Sequence, residues 1–245
     1  MQNSKWPIAG VDRLAQLLSV QHDRLIDHKE DCLKFCIAII LLGLTLIGPA
    51  QAQDPIKPTL LVTGDSLSAE YGIARGTGWV ALLSNRLKQE GSSWEIMNAS
   101  ISGETTSGGL TRLPKLLAQK KPKLVIIELG ANDALRGLPL AETEKNLRTM
   151  VDLSKKSGAE VLLIGMRIPP NYGQEYTQQF AGLFVRIAKS QQVALLPFFL
   201  EGVAQRNELF QADRIHPNEA AQTIMFQNVW TALAPFYGQL MPKKN

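Results

Sequence analysis

Four short stretches of this chain hold residues that could do chemistry together. Gly64-Asp65-Ser66-Leu67-Ser68 closes an apolar run and offers the Ser66 hydroxyl as a nucleophile. Asp213-Arg214-Ile215-His216-Pro217 sets a carboxylate three residues before an imidazole. Across a single turn Asp213 can reach one ring nitrogen and leave the other free as a base. His216 is the only histidine beyond residue 28, so any activation of a serine by imidazole in the later chain must use it. Between these blocks, Gly103 in Asn98-Ala99-Ser100-Ile101-Ser102-Gly103 allows close backbone approach and can aim an amide hydrogen at a ligand. Asn132 in Gly130-Ala131-Asn132-Asp133 carries a side-chain amide able to donate to a developing oxyanion. Each block alone also fits a plainer role: Asp65, Ser66 and Asn132 as caps or turn residues, Gly103 as a turn, His216 as a surface residue before a helix.

The elements that must position these residues alternate. Thr59 to Thr63 reads as a buried strand broken by Gly64, which puts Ser66 just past a strand's C-terminal end, where open α/β sheets bind ligands. A helix follows from Gly78 to Leu87 with Gly91 as its stop, then a strand from Trp94 to Asn98. Leu110, Leu113, Leu116 and Leu117 mark the next helix, and Leu124 to Leu129 the third strand. A helix through Leu147, Met150, Val151 and Leu153 leads to a strand over Val161–Met166. Helix 174–189, strand 193–196 and a last helix from Asn218 to Leu233 complete the pattern. Strands alternating with helices of ten or more residues predict a parallel sheet covered on both faces, a three-layer α/β fold whose strand-end loops share one rim.

Composition narrows the chemistry. Of the 245 residues, 35–48 form an apolar block followed by Pro49-Ala50-Gln51-Ala52, the pattern of a secretory signal cleaved after Ala52; an uncleaved membrane anchor is the alternative. Asp23, Asp27, Glu30 and Asp31 are out of place in the positive leader such a signal carries, so translation is expected to start near Leu33. Residues 1–52 are thus an N-terminal extension with signal, and 53–245 a single domain, with no stable membrane span after cleavage. Net charge is +4 for the whole chain and again for residues 53–245. Those basic residues are scattered, apart from the Lys120-Lys121-Pro122-Lys123 helix end, which argues against nucleic acid as a partner. Cys32 and Cys36 both fall in the leader, so the domain has no disulfide and no thiol nucleophile, and its one histidine excludes a histidine-rich zinc site.

Taken in order and at compatible spacing, the four blocks resemble those of the GDSL, or SGNH, hydrolases. The likeness runs from about Thr59 to Trp230. Leu110–Pro114, Gly165-Met166-Arg167-Ile168-Pro169-Pro170-Asn171-Tyr172-Gly173 and Leu196-Pro197-Phe198-Phe199 are similar to the family's bacterial periplasmic thioesterase, lysophospholipase and arylesterase branch. The resemblance implies a flavodoxin-like fold, Ser66 as nucleophile, His216 as base and Asp213 as its orienter. It implies an oxyanion hole made of the Ser66 and Gly103 amides and the Asn132 side chain. The implied function is a secreted, periplasmic, cofactor-free and metal-independent hydrolase of small-molecule acyl esters and thioesters, acting as a monomer. A carbohydrate O-deacetylase on the same fold, or a binding module with a vestigial site, are the alternatives. Apolar residues in the loops after the third and fourth strands, Leu135, Leu138, Ile168, Pro169, Pro170 and Tyr172, are expected to line the acyl chain. Three positions depart from the branch: Glu104 replaces Asp, Ala131 replaces Gly, and Arg214 replaces Gly, the last expected to remove a left-handed backbone conformation.

Overall fold

The computed structural model describes residues 57–242. The expected signal core, the cleavage after Ala52 and the start near Leu33 lie outside the described residues. Strands β1 (Thr59–Gly64), β2 (Glu95–Asn98), β3 (Leu124–Glu128), β4 (Glu160–Ile164) and β5 (Ala194–Leu196) form one parallel sheet in the order β2-β1-β3-β4-β5. That order reverses at β1, and the crevice between the ends of β1 and β3 is where such sheets take ligands. Among the described residues no helix is long and apolar enough to cross a membrane.

Period-two side-chain alternation divides the apolar strands between two cores. Leu60, Val62, Leu124 and Ile126 pack on one face with Trp79, Leu83, Met225 and Val229 of α1 (Trp79–Gln89) and α6 (Gln222–Ala232). Leu61, Val125, Ile127 and Leu163 point to the other face. There they meet α2 (Thr106–Lys120), α4 (Leu140–Lys156) and α5 (Gln174–Gln191). Fully buried leucines such as Leu83 and Leu113 each contribute about 1.5–3 kcal/mol of transfer free energy. The three-layer α/β architecture is the one the alternation predicts.

Two differences bear on the site. A five-residue helix α3 (Ala131–Leu135) follows β3, too short to show a periodic pattern. The last long helix does not begin behind Pro217: Pro217 bridges Phe210 across an antiparallel pair. Asn218 then caps a 3₁₀ turn over Glu219–Ala221 by accepting from the Ala220 amide at 3.0 Å, and α6 starts only at Gln222. A last short helix, α7 (Tyr237–Leu240), closes the described chain.

Candidate active site

The loop after β1 carries Ser66, and its backbone is fixed from beneath. Gly64 lies opposite Glu128 in the β1–β3 register, and a Cβ at Gly64 would stand 2.6 Å from Glu128 Oε2. Glycine is therefore what lets the Glu128 carboxylate fit under the loop. Glu128 Oε2 accepts from the Ser68 hydroxyl at 2.7 Å and from the Asp65 amide at 3.2 Å, and the Trp79 indole donates to Ser68 Oγ at 3.2 Å. Asp65 in turn accepts from the Leu67 amide on Oδ1 and from Asn132 Nδ2 on Oδ2, each at 3.0 Å.

Burial drives the ionisation of this carboxylate pair. It raises the Asp65 pKa to about 6, against the lowering pull of the Leu67 amide, the His216 charge and Asn132. Glu128 is pushed well above the ordinary carboxylate value, first by burial and then by the charge of Asp65. A carboxyl whose folded pKa exceeds its unfolded one adds stability below the unfolded pKa and loses that stability as pH rises through the folded pKa. Wild-type stability contributed by the pair should therefore fall from about pH 4.5 through pH 6 and above. Glu128→Gln removes one of the two titrations, so the variant should gain on wild type as pH rises. Urea midpoints of both proteins at pH 4.5, 5.5 and 7 measure this, and a pH-independent difference would contradict the buried-carboxyl account.

The C-terminal block closes over Ser66 in one turn. Asp213 Oδ1 accepts from the Ile215 and His216 amides at 2.9 and 3.0 Å, which folds the turn back on itself. Its Oδ2 stands 2.7 Å from His216 Nδ1, and His216 Nε2 stands 3.1 Å from Ser66 Oγ. The His216 amide, the imidazole and the Ile215 amide together hold the Asp213 carboxyl at about 2. The Tyr71 ring lies 4.4 Å from the imidazole, centroid to centroid. Arg214 adopts φ +58, so the left-handed conformation expected to be lost is retained, at a cost of roughly 1–2 kcal/mol for a non-glycine residue.

Two further loops complete the rim. Gly103 sits at φ +77, open to glycine, and its carbonyl accepts from Arg136 at 2.9 Å. Asp133 is buried and ties this loop to α3 through the Thr106 amide and hydroxyl at 2.9 and 2.5 Å. Asn132 Nδ2 donates to Asp65 and also to the Glu104 carbonyl at 3.0 Å. The Glu104 side chain pairs with Arg112 at 2.7 Å. Among the described residues, neither the Ser66 nor the Gly103 amide meets an acceptor. The Ser66 amide, beside its own hydroxyl and the imidazole, can stabilise negative charge on a carbonyl oxygen attacked by that hydroxyl; Gly103 lines neither of the two cavities described next.

A small cavity of about 190 Å³ reaches Ser66, Asn132 and His216. It shares Ala131, Leu135, Met166 and Ile215 with a larger, mostly apolar one of about 350 Å³. Of the six residues expected to meet an acyl chain, Leu135, Ile168, Pro169 and Pro170 line that larger cavity. Leu138 and Tyr172 do not: both are exposed, and the Tyr172 hydroxyl reaches the Leu135 carbonyl at 3.4 Å. Sequence reasoning missed Met166, Phe198, Leu200 and Phe210 as walls, although Met166 and Phe198 belong to the very blocks that carry the family likeness. Ala131, one of the departures, lines both cavities.

The family model of the GDSL-like lipase/acylhydrolase family matches residues 62–224. The chain is 48% identical over 200 residues to esterase TesA of Pseudomonas aeruginosa, covering 82% of this chain and 95% of that one. It is 45% identical over 164 residues to thioesterase 1/protease 1/lysophospholipase L1 of Escherichia coli K12, covering 67% of this chain and 77% of that one. The crystal structure of TesA superposes with a TM-score of 0.71 at 51% identity, over 72% of this chain and 98% of that chain.

Proposed function

The chain belongs to the GDSL-like lipase/acylhydrolase family, and from that premise we propose that it hydrolyses acyl esters and thioesters through an acyl-enzyme on Ser66. The observation that carries the reading is the continuous line from Asp213 Oδ2 through His216 to Ser66 Oγ, at 2.7 and 3.1 Å, ending beside a Ser66 amide that meets no acceptor among the described residues. Ser66 Oγ attacks the acyl carbonyl and its proton passes to His216 Nε2. Asp213 holds Nδ1–H and favours the resulting imidazolium. The Ser66 and Gly103 amides and Asn132 Nδ2 receive the oxyanion, Asn132 by sharing a hydrogen it otherwise gives to Asp65 or Glu104. The C–O or C–S bond then breaks, and the leaving group departs with the proton from Nε2. A water repeats the cycle on the acyl-enzyme, giving up a proton to His216 and releasing the carboxylic acid and the Ser66 hydroxyl. Every group in this sequence belongs to the chain, and no cofactor enters it.

The substrate's acyl chain runs from Ser66 past Ala131, Leu135 and Met166 into the larger apolar cavity. Relatives named as an esterase and as a thioesterase and lysophospholipase support both leaving-group classes. The apolar block at 35–48 and the Pro49–Ala52 site support export to the periplasm by a cleaved signal, leaving residues 53–245 as one hydrolase domain. The test is turnover by purified residues 53–245 of p-nitrophenyl esters of graded length and of octanoyl-CoA. Activity confined to acetylated sugars, or none with any ester, would overturn the reading.

Chain-length selectivity gives a sharper check. Ile168 is buried in both the cavity wall and the second core, so truncation removes contacts that only a long acyl chain makes. Ile168→Ala should lower kcat/KM for octanoyl esters about tenfold more than for acetyl esters, since removing a few methylene contacts weakens discrimination by 1–3 kcal/mol. Because any loss of folded protein affects both substrates alike, the ratio is the readout. Equal losses would remove the chain from this cavity.

A further inference from the structure

Exposed apolar side chains are distributed unevenly over this molecule. Among the described residues six large hydrophobic side chains are exposed, and five of them, Tyr71, Ile101, Leu138, Tyr172 and Ile215, lie on the catalytic rim. Only Val185, on α5, lies elsewhere. The five come from five different loops: those after β1, β2, β3 and β4, and the turn that carries His216. Four of them are tied to the site itself. Tyr71 packs on the imidazole, and Ile215 lines both cavities. The Tyr172 hydroxyl reaches the carbonyl of cavity residue Leu135. The Leu138 carbonyl accepts from Tyr176, whose hydroxyl also reaches the Ala134 carbonyl beside that wall. Ile101 sits two residues before Gly103, and its side chain is 47% exposed.

The same loops also carry exposed cations. Arg75, Arg136, Arg167 and Arg214 are all exposed, and none forms a salt bridge among the described residues. Arg167 lies over the Phe198 ring at 4.6 Å and Arg136 donates to the Gly103 carbonyl. Four rim carboxylates keep their charge but are held by donors, whereas exposed Glu201, in the loop after β5, has no side-chain partner among the described residues. Glu70 accepts from the Gly76 and Gly78 amides, and Glu219 from the Ala74 amide. Glu104 pairs with Arg112, and Asp213 with His216. A ring of exposed apolar side chains interleaved with unpaired guanidinium groups matches a surface that is apolar beneath and anionic at its face.

We infer that the catalytic rim docks on an anionic lipid surface, the apolar side chains entering the interfacial layer and the four arginines meeting the headgroup phosphates. The inference rests on the acyl-hydrolase reading and adds to it how a water-insoluble acyl chain reaches the cavity mouth: the mouth opens inside the docked ring. Arg75 and Ile101 lie in this ring and outside both cavities, which makes them the positions to change.

The experiment uses purified residues 53–245, an extent that contains the whole described sheet and both cores. Vesicles of non-hydrolysable diether phosphatidylglycerol or diether phosphatidylcholine are sedimented with the protein at low and high salt. The protein should partition onto phosphatidylglycerol, less so as salt rises, and not onto phosphatidylcholine. The Arg75→Glu/Ile101→Ser double variant should partition roughly tenfold less or weaker still, while hydrolysing soluble p-nitrophenyl acetate as wild type does. Equal partition onto both lipids, no partition, or a double variant that binds like wild type would each overturn the docking surface. So would a concentration-dependent dimer abolished by the same double variant, since a second copy would then own the ring. Wild-type protein that binds vesicles yet cleaves no ester would sink the hydrolase reading alone, so the two failures are distinguishable.

Discussion

Ser66→Ala is expected to lower kcat on p-nitrophenyl esters by roughly 10⁵–10⁶-fold, the order lost when a serine hydrolase is deprived of its nucleophile. Among the described residues the hydroxyl makes one side-chain hydrogen bond, with His216 Nε2 at 3.1 Å. Its removal leaves the loop beneath it untouched, because that loop hangs on the Asp65 amide, Ser68 and Glu128 rather than on Ser66 Oγ. Folding should therefore be unaffected: the urea midpoint and far-ultraviolet spectrum of the variant should match those of wild type. A fluorophosphonate probe should label wild type at Ser66 and leave the variant unlabelled. Residual turnover within about tenfold of wild type would mean that another group attacks the carbonyl, and the mechanism would fail at its first step.

Asp213→Asn should cost about 10⁴-fold in kcat with the turn preserved. The asparagine carbonyl can still accept from the Ile215 and His216 amides, the two bonds that shape the turn. What it cannot do is hold Nδ1–H and balance an imidazolium, because the group facing the ring at 2.7 Å becomes an amide that no longer carries charge. The wild-type carboxyl, held at about 2 by the His216 amide and its other donors, stays ionised down to strongly acid pH. Loss of activity on acidification above about pH 4 must therefore come from another group. A depressed carboxyl of this kind contributes stability above its unfolded value of 3.8 and loses it as pH falls toward 2. Its exposure makes that contribution small. A variant with wild-type kcat would remove Asp213 from the mechanism, whatever its distance from the ring.

The parts of this molecule that could be read from the chain are those with a local signature. Apolar strands and ten-residue helices announced the sheet; Ser66, Gly103 and Asn132 stood out by residue type and position at predicted strand ends, and Asp213 and His216 by their three-residue spacing. Glu128 did not stand out, although it lies in the strand run Leu124–Leu129. Its partnership with Asp65 exists only because β1 and β3 pair with Gly64 opposite Glu128, a register that no periodicity specifies. The same limit hid Phe198, Leu200 and Phe210, which reach the cavity from segments lacking a repeating pattern. The α6 boundary was misplaced because a cap at Asn218 and a 3₁₀ turn mimic a helix start. Arg214 shows the converse: set against the glycine of the family branch it was expected to lose the left-handed conformation, yet it keeps φ +58 in the turn folded by the Asp213 bonds.

The turn that carries Asp213 and His216 is sewn to the beginning of the described chain. Gln211 Nε2 donates to the Tyr71 carbonyl, the Ala74 amide to Glu219, and the Trp79 amide to Gln222, over separations of 140 to 145 residues. All five strands are complete by Leu196. A growing chain can thus assemble its sheet while the nucleophile loop still waits for its base. Contacts so distant in sequence are the last to repay their loop-closure entropy. Catalytic competence is therefore a late event in the life of each molecule, and a chain stalled before residue 213 would lack both its base and the Met225 and Val229 side chains that cover one face of the sheet.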